Sequence, residues 1–333
     1  MTNGDLDRNP QGVLELLVQQ VTWEADGIAS LRLIDPNGAL LPAWTPGAHL
    51  DLVLPSGKVR QYSLCGDIGD RSTYTIAVLR DDAGRGGSVE LHDTAWVGRR
   101  ISIRGPRNHF PLIEAPSYLF VAGGIGITPI LAMTREVSGR GLPWRLVYGG
   151  RSTASMAFLT ELATLGGENV DVVPQDVRGM LDLDRVFQDL SPGSAVYCCG
   201  PEGMIRAAKG CAAATGTAEA LHVERFGAPT SDVQNGHSTP ANTGNTEFEV
   251  ELRRTGAVLD VPTHRTLIDV VREAVPDFLS DCEEGYCGAC EVRVLEGSPE
   301  HRDLLLSETE REVGDRMMIC VGRSQSPRLV LDL

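Results

Sequence analysis

Four of the eight cysteines are spaced as the ligands of an iron–sulfur cluster. They are Cys282, Cys287, Cys290 and Cys320. Four residues separate the first from the second, two separate the second from the third, and 29 separate the third from the fourth. This spacing can supply four thiolates to a 2Fe-2S cluster, and Gly285 and Gly288 permit the sharp loop that the cluster requires. Zinc sites usually contain two closely spaced cysteine pairs, so the four-residue gap favours the cluster over zinc or unrelated thiols.

A second candidate site is the glycine-rich turn at residues 84–88, which reads Gly-Arg-Gly-Gly-Ser. It opens into a short predicted helix at residues 89–92. The guanidinium of Arg85, the backbone N–H of Gly87 and the hydroxyl of Ser88 would then surround the start of a helix. Because such groups bind anions there, the turn predicts an anion site.

Residues 123–129, Gly-Gly-Ile-Gly-Ile-Thr-Pro, form a third candidate site. They follow a continuous apolar run and open a helical pattern, which is the context of a dinucleotide-binding loop. Gly124 and Gly126 would let a pyrophosphate approach the backbone at the helix N-terminus. Pro129 replaces the third glycine of the usual pattern and suits the first turn of a helix.

The elements that must position these residues form a β-rich region followed by an α/β region. Up to about residue 110, short apolar or alternating runs between turn signals predict an antiparallel barrel or sandwich. Its strands are predicted at residues 13–21, 29–34, 49–54, 60–65, 74–79 and 100–104. Beyond residue 117, buried strands alternate with helices, which predicts a parallel sheet. These strands are predicted at residues 118–122, 144–148, 170–173 and 194–198, and the helices at 130–138, 157–165 and 184–190.

The segment 227–245 divides this long region from the cysteine-rich one. It is rich in Gly, Ser, Thr, Asn and Pro and has almost no large apolar residue, so we predict a linker without a core of its own. Beyond it we predict a hairpin at residues 246–253 and 258–261, and a helix at 266–274 with Thr266 as its N-cap.

Composition and charge exclude several classes of protein. A chain of 333 residues suggests roughly two or three domains, and its 42% apolar and 23% charged residues argue against a fibrous or disordered chain. The net charge of −15 disfavours binding to nucleic acid or anionic lipid. Residues 246–333 carry 19 Asp and Glu against 10 Arg, a net of −9, which favours a partner with a basic surface. The sequence shows neither a long apolar span nor a signal peptide, which predicts a cytoplasmic protein.

Three motifs resemble those of one group of electron-transfer enzymes. Residues 281–290 and 318–321 resemble a plant-type ferredoxin, and residues 60–63, Arg-Gln-Tyr-Ser, resemble the flavin-binding strand of the ferredoxin-reductase family. Residues 197–201, Tyr-Cys-Cys-Gly-Pro, resemble the strand end that lies beside the nicotinamide in that family. In this order, and over nearly the whole chain, they resemble the phthalate dioxygenase reductase family, which includes the vanillate demethylase reductases.

The resemblance implies a multidomain fold of three parts. Residues 1–112 would form an antiparallel β-barrel that binds flavin, and residues 113–226 an α/β domain with a parallel sheet that binds the nicotinamide cofactor. After the linker at 227–245, residues 246–333 would form an α+β, β-grasp-like ferredoxin domain.

The resemblance also implies the roles of the site residues. Tyr62 would lie against the isoalloxazine ring, Ser63 near the flavin N5 and Arg60 at a phosphate. Cys199 would pack against the nicotinamide and Glu224 would lie near the hydride path, so that Ser63, Cys199 and Glu224 form the catalytic set. The other residues implied at the cofactors are Ala77, Val78, Arg85, Gly87, Ser88, Phe226, Gly124, Gly126, Thr128, Arg151, Gly200 and Pro201.

The resemblance further implies three cofactors: FMN rather than FAD, the 2Fe-2S cluster, and NADH rather than NADPH. The acidic residue that usually binds the ribose 2′-hydroxyl is missing from the end of the second strand of the α/β region. Arg151 stands there instead and could accept a 2′-phosphate, so both nucleotides stay open. His49 and His301 are expected to serve packing or loop hydrogen bonds rather than chemistry.

The function that the resemblance implies is the reductase component of a Rieske-type aromatic oxygenase. NADH gives up two electrons together, a 2Fe-2S cluster accepts one at a time, and a flavin placed between them can do both. Electrons would pass from NADH through the flavin and the cluster to the terminal oxygenase. Two alternatives are a reductase for a cytochrome P450 or another acceptor, and a redox sensor that is not an enzyme.

Overall fold

A computed structural model of the chain describes residues 13–227, 245–280 and 282–333. The chain divides into two compact units, Met1–Phe226 and Gly227–Leu333, hereafter the first and the second unit. The predicted linker, residues 227–245, lies outside the described residues except at its two ends. The boundaries predicted between flavin domain, nicotinamide domain, linker and ferredoxin domain stay predictions.

The first unit begins with a closed antiparallel sheet. Its strands are β1 (Leu14–Ala25), β2 (Ile28–Ile34), β3 (Ala48–Val53), β4 (Val59–Ser63), β5 (Thr73–Leu79) and β6 (Arg100–Asn108), and helix α1 (Gly87–Asp93) lies between β5 and β6. The strand order is β4-β3-β6-β1-β2-β5, with every pair antiparallel. A bridge between Leu64 and Ile76 brings the two ends of this order together, so the sheet closes as the predicted barrel.

Strands β3 and β4 show how the barrel presents two faces. Leu50 is fully buried in the apolar interior, because alternate residues of a strand point to opposite faces. On the other face, His49 lies opposite Ser63, and Asp51 lies opposite Gln61. The outer face of these strands therefore carries Ser63 among polar neighbours.

The rest of the first unit is a parallel sheet flanked by helices. Its strands are β7 (Tyr118–Gly123), β8 (Trp144–Gly150), β9 (Val170–Pro174), β10 (Ala195–Cys199) and β11 (Leu221–Glu224), in the order β11-β10-β7-β8-β9. Its helices are α2 (Ile127–Gly139), α3 (Leu159–Gly166), α4 (Gln175–Arg178), α5 (Leu183–Gln188) and α6 (Glu202–Ala214). Apolar clusters include buried residues of alternate faces of these strands, which explains their continuous apolar runs and confirms the predicted α/β layer.

Two helix starts differ from the predictions for physical reasons. Helix α2 begins at Ile127 rather than at residue 130, because a 3₁₀ turn at Gly124–Gly126 runs directly into it. Helix α3 begins two residues later than predicted, because Phe158 adopts a left-handed backbone conformation with a φ of 63°. The sequence pattern did not predict the length of α6, since alanines make up most of its buried face.

The second unit is a mixed sheet with a helix packed on it. Its strands are β12 (Phe248–Leu252), β13 (Ala257–Val261), β14 (Glu291–Glu296), β15 (Pro299–Glu300), β16 (Arg316–Met318), β17 (Arg323–Ser324) and β18 (Arg328–Leu331), and its helices are α7 (Leu267–Ala274) and α8 (Glu308–Val313). Five strands follow the order β13-β12-β18-β14-β16, in which β12 and β18 run parallel. This is the predicted α+β, β-grasp-like arrangement. The Thr266 Oγ1 accepts the N–H of Asp269 at 3.2 Å, which confirms Thr266 as the N-cap of α7.

The helices of both units are short relative to a bilayer. Within the described ranges, none combines the length and the apolar character that a membrane-crossing helix needs.

Candidate functional site

Three strand ends of the first unit bring Ser63, Cys199 and Glu224 together. Ser63 ends β4, Cys199 ends β10, and Glu224 ends β11 directly beside Cys199 in the register. The Cys199 Sγ lies 4.0 Å from the Glu224 Oε2, and the Ser63 hydroxyl donates a hydrogen bond to the Glu224 carboxylate. Residues far apart in sequence thus meet where the barrel adjoins the parallel sheet.

Burial sets the protonation of this group. Desolvation raises the pKa of Glu224 to about 8, and the hydrogen bond from Ser63 lowers it in part, although some of Glu224 stays accessible to solvent. Desolvation and the neighbouring Glu224 charge raise the pKa of Cys199 well above its ordinary value. At neutral pH the thiol is therefore uncharged, and Glu224 is the residue that can take up or release a proton.

Strand β4 also places Arg60 beside the glycine-rich turn before α1. The Arg60 Nη2 donates to the carbonyl of Arg85 at 3.1 Å. A Cβ at Gly87 would lie 2.5 Å from the Arg60 Cγ, so glycine is what leaves room for this arginine. The Lys58 Nζ lies 3.8 Å from the position of a Cβ at Gly86. Basic side chains therefore adjoin the backbone of the turn, as a phosphate site requires.

The other residues predicted at the flavin lie on the barrel or just beyond β11. Tyr62 is half-buried against the barrel core. Ala77 and Val78 are buried in β5, and the Val78 carbonyl lies 2.9 Å from the His92 Nε2. Phe226, two residues after Glu224, is 46% exposed. An aromatic side chain so exposed is available to cover a planar ligand.

The loop after β7 is packed as a dinucleotide site needs. A Cβ at Gly126 would lie 2.2 Å from the Cys199 carbonyl oxygen, so the loop reaches β10 only with glycine there. A Cβ at Gly124, whose φ is 54°, would meet nothing within 4 Å among the described residues. The buried Thr128 hydroxyl donates to the Ile125 carbonyl at 3.0 Å. The open space at Gly124 therefore fits a pyrophosphate. Gly126 instead packs on β10, and Thr128 stabilises the turn itself.

Gly200 and Pro201 lead from β10 into α6. A Cβ at Gly200 would lie 2.3 Å from the Met204 Cε, and a Cβ at Gly123 would lie 2.8 Å from the Pro201 Cδ. The turns after β7 and β10 thus pack directly on each other, which fixes the position of Cys199.

The four predicted cluster cysteines of the second unit are all buried. The Cys290 Sγ lies 3.0 Å from the Cys320 Sγ. Backbone N–H groups donate to the other two sulfur atoms at distances of 3.3–3.5 Å. Gly285 and Gly288, with φ of 77° and 74°, give the loop its sharp turns, and a Cβ at Gly285 would lie 2.7 Å from the Val321 Cγ2. The thiols thus lie in two pairs, Cys282 with Cys287 and Cys290 with Cys320. Two pairs of thiols with N–H donors fit a 2Fe-2S cluster, in which each iron takes two of the four thiolates.

Helix α7 is tied to this loop through Glu283. Glu283 has a φ of 56°, a left-handed conformation that is uncommon for a residue with a side chain. Its carboxylate accepts hydrogen bonds from Arg272 of α7 at 2.6 Å and from Ser280 at 2.7 Å. These contacts hold the first turn of the cysteine loop against the helix.

Comparison with known proteins identifies both modules. The family model of the 2Fe-2S iron-sulfur cluster binding domain matches residues 250–324, and that of the oxidoreductase NAD-binding domain matches residues 120–210. The phthalate dioxygenase reductase of Burkholderia cepacia is 38% identical over 330 residues, which cover 97% of this chain and 98% of that relative. The chain belongs to the phthalate dioxygenase reductase family. This reductase is therefore an NAD-binding oxidoreductase with a flavin module and a 2Fe-2S cluster.

Two further similarities concern different oxygenases. The reductase subunit of tert-butanol monooxygenase / tert-amyl alcohol desaturase from Aquincola tertiaricarbonis is 39% identical over 334 residues, 97% of each chain. The crystal structure of an intact type IV self-sufficient cytochrome P450 monooxygenase is 42% identical, with a TM-score of 0.84 over 96% of this chain. The reductase spans only 41% of the length of that P450 protein.

Lys58 and Asp176 were not predicted from the sequence. Lys58 stands two residues before Arg60, and this alternation at the start of β4 is the signal that could have found it. The Asp176 N–H, just after β9, donates to the Arg151 carbonyl at 3.1 Å, and the Arg151 residue is exposed after β8. An acidic residue thus lies at the edge of the parallel sheet, but after its third strand rather than its second.

Two predicted residues are used differently from the expectation. The Ser88 Oγ accepts the N–H of Asp81 at 3.0 Å, so it is engaged within its own turn. The His301 side chain is 8% exposed, and neither ring nitrogen has a hydrogen-bond partner in the described part of the chain. The His301 Nδ1 lies 3.8 Å from the Asp303 Oδ2. The loop hydrogen bond expected of His301 is therefore not found there.

Proposed function

We propose that this reductase takes two electrons from NADH, divides them at FMN and passes them singly through the 2Fe-2S cluster to the terminal component of a Rieske-type aromatic oxygenase. The observation that carries the proposal is the meeting of Ser63, Cys199 and Glu224 at three strand ends. A bound flavin supplies the chemistry that accepts a hydride and releases its electrons one at a time.

The chain's own residues shape the contact between nicotinamide and flavin, and they hold a proton. Oxidation of NADH to NAD⁺ yields two electrons and one proton, so a buried site needs a group that accepts the proton. Glu224 meets this need because its pKa, raised to about 8, lies near physiological pH. The Ser63 hydroxyl can both donate and accept a proton beside Glu224, and Cys199 stays an uncharged thiol at the nicotinamide.

FMN is favoured by the glycine-rich turn beside β4. The terminal phosphate of FMN is a monoester and carries roughly two negative charges at neutral pH. Arg60 and Arg85 supply two positive charges at this turn, while the third, on Lys58, is paired with Glu90 at 3.9 Å. That number suits a terminal phosphate better than the singly charged phosphates of FAD.

NADH is favoured by Asp176. A carboxylate at the edge of the sheet can accept hydrogen bonds from the ribose 2′-hydroxyl and would repel a 2′-phosphate. Arg151, whose carbonyl accepts the Asp176 N–H, favours NADPH by its charge. The two residues would therefore set the nucleotide preference together.

A Rieske-type partner is favoured by the family and by the charge of the second unit. The Burkholderia cepacia relative is named as the reductase of a phthalate dioxygenase. Residues 246–333 carry a net charge of −9, so we expect the partner to present a basic patch. Electron delivery to it should then weaken as the salt concentration rises.

A cytochrome P450 is the second candidate acceptor. The 42% identity and TM-score of 0.84 with part of a self-sufficient P450 protein support it. Turnover of NADH with purified members of both oxygenase classes separates the two candidates, since the correct acceptor should be reduced much faster.

Mass spectrometry of the cofactor released on denaturation, with iron and sulfide analysis, tests the cofactors. We expect FMN and about two irons per chain. Anaerobic addition of NADH should bleach the flavin and cluster absorbance faster than NADPH does. Release of FAD would overturn the FMN assignment, and a lack of bleaching would overturn the reductase function.

A further inference from the structure

Arg135 of helix α2 binds the barrel directly beyond Ser63. Its Nη1 donates a hydrogen bond to the Gly66 carbonyl at 2.7 Å and a second one to the Cys65 carbonyl. Cys65 follows Ser63, the last residue of β4, by two positions. An arginine from the helices that flank the parallel sheet therefore fixes the backbone where the strand predicted to bind flavin ends.

A further contact orients the guanidinium of Arg135. The Arg135 Nε donates to the Glu161 Oε1 at 2.6 Å, and the Nη2 pairs with the same carboxylate of helix α3. All three guanidinium nitrogens of Arg135 are thus engaged, and its side chain is 25% exposed. A planar guanidinium can bind a carboxylate and two carbonyls together, whereas a lysine ammonium cannot reproduce this geometry. The contact therefore requires an arginine.

The Arg135 contact completes the hydrogen bonding of the segment after β4. The Cys65 N–H donates to the Thr75 carbonyl of β5 at 2.9 Å, and the Leu64 N–H donates to the Ala48 carbonyl at 2.8 Å. Cys65 is buried, so its carbonyl needs a donor from within the protein. Loss of Arg135 would leave this buried acceptor without its donor. The segment is therefore held by the barrel through its N–H groups and by α2 through its carbonyls.

Helix α2 connects this contact to the nucleotide loop. The helix begins at Ile127, directly after the 3₁₀ turn Gly124–Gly126 that packs on Cys199. Arg135 stands eight residues further on, which is about 12 Å along the helix axis. Ile127 and Cys65 belong to the same buried apolar cluster. Because a closely packed helix transmits displacement as a rigid element, the nucleotide loop and the end of β4 keep a fixed separation.

We propose that Arg135 is a positioning residue for hydride transfer, which holds the flavin-binding strand in place against the nucleotide loop. The inference rests on the proposed function. In that transfer a C–H bond of NADH breaks, and the hydrogen moves with both bonding electrons to the flavin, which leaves NAD⁺. Reacting atoms must lie about 3–3.5 Å apart, and a misplacement of about 1 Å can cost roughly 10²-fold in rate. Arg135 acts through Ser63 and Cys199, whose separation depends on how the barrel and the sheet are joined.

A contact that only stabilises the fold is the competing explanation, and Arg140 on the same helix provides a matched control for it. Arg140 pairs with Glu136 at 2.6 Å and with Glu114 at 2.7 Å. Neither glutamate lies on a strand of the barrel. Removal of Arg140 therefore takes an ion-paired arginine from α2 without releasing the end of β4.

The test compares flavin reduction in Arg135→Met, Arg135→Lys and Arg140→Met. Each holoenzyme is mixed anaerobically with NADH in a stopped-flow instrument, which separates the limiting rate at saturating NADH from the dissociation constant for NADH. Arg135→Met keeps most of the side-chain length but has no donor, so the limiting rate should fall at least about tenfold. Its dissociation constant and flavin content should stay within about twofold of the wild type. Arg135→Lys should recover part of the rate, and Arg140→Met should match the wild type.

Hydrogen exchange gives a readout that does not depend on activity. In Arg135→Met, mass spectrometry of peptides covering residues 60–66 should show faster exchange of the Leu64 and Cys65 N–H groups, because the carbonyls of this segment are released. Arg140→Met should exchange there as the wild type does. Thermal unfolding and flavin content identify a variant that has lost its fold, and Arg135→Lys then replaces Arg135→Met in both measurements.

The outcomes separate the positioning role from the function on which it rests. A wild-type limiting rate in Arg135→Met with full flavin content overturns the positioning role, and so does an equal loss of rate in Arg140→Met. In both cases the wild-type protein is still reduced by NADH. If NADH does not reduce the wild-type protein, the proposed function fails and the positioning role fails with it.

Discussion

The Ser63–Cys199–Glu224 site of the first unit and the cysteine loop of the second are built in opposite ways. The first draws on three strands of two sheets, and its outermost residues are 161 positions apart. In the second, three of the four cysteines lie within nine consecutive residues, and N–H groups of the same loop reach the sulfur atoms. A local loop can define a site by the spacing of its residues alone, whereas the first site exists only when the barrel and the parallel sheet pack correctly.

The largest effect is expected when one ligand is removed from the cysteine loop. Cys290→Ser should abolish the cluster, because a 2Fe-2S cluster needs four thiolates, while NADH should still bleach the flavin. Iron and sulfide analysis and anaerobic absorbance spectra measure both effects. Cys211→Ser, a change at a partly exposed cysteine of α6, should keep its iron. Full iron content in Cys290→Ser would contradict the cysteine assignment.

The matching change in the first unit is Glu224→Gln. It should slow turnover by about 10²-fold, because it removes the group that accepts the proton. Only the deprotonated carboxylate can accept, so the wild-type rate should rise as the pH increases through about 8. The glutamine variant should show no such rise. A pH–rate profile that is the same in both proteins would mean that another group takes the proton.

A third change tests how tightly the loop after β7 packs on β10. Gly126→Ala would place a Cβ 2.2 Å from the Cys199 carbonyl oxygen, and overpacking of this kind costs about 1–3 kcal/mol. Gly139→Ala, at the end of the helix α2 that follows Gly126, would meet nothing within 4 Å among the described residues and should be neutral or stabilising by up to about 1 kcal/mol. Urea unfolding compares the two. Equal stabilities would show that the loop can move away from β10.

The raised pKa of Glu224 also links stability to pH. Its pKa is raised from 4.5 to about 8 in the folded protein, so the folded state holds a proton that the unfolded state loses. The resulting stabilisation is complete below pH 4.5 and disappears as the pH rises through about 8. Relative to Glu224→Gln, the wild type should therefore lose stability between pH 5 and about 8.5. Urea unfolding at the two pH values measures this difference, and an unchanged difference would contradict it.

The smallest effect is expected at the N-cap of α7. Thr266→Ala removes the acceptor for the Asp269 N–H and should cost about 1 kcal/mol in the second unit. Thr266→Ser keeps the acceptor and should cost much less. Denaturation followed by the visible circular dichroism of the cluster measures both. A loss equal in the two variants would assign the effect to the Thr266 methyl group instead of the cap.

Features specified by neighbouring residues were predictable from the sequence. The strand at β7 follows from one apolar run, the N-cap from a threonine before an amphipathic segment, and the cluster loop from cysteine spacing. Asp176 could not be placed beside Arg151 in this way, because that proximity depends on β8 and β9 being neighbours. The position of His49 opposite Ser63 likewise requires the register of β3 against β4.

The contact between Ser63 and Glu224 was predictable only in part. Composition and periodicity did not indicate it, since no local pattern joins a serine in a barrel to a glutamate in a parallel sheet. Only the family resemblance predicted that both would lie near the same cofactors. The contact depends on how the barrel packs on the parallel sheet, and hydrophobic periodicity within either region does not record that packing.

The contact of Arg272 with Glu283 gives helix α7 a structural role in addition to the packing of its apolar face. The helix supplies no thiolate, but its hydrogen bond to Glu283 holds the segment that carries Cys282. Fraying of this helix would loosen the cysteine loop while the sheet on which the helix packs stayed folded. The brown colour of the protein would then fade before its secondary structure melted.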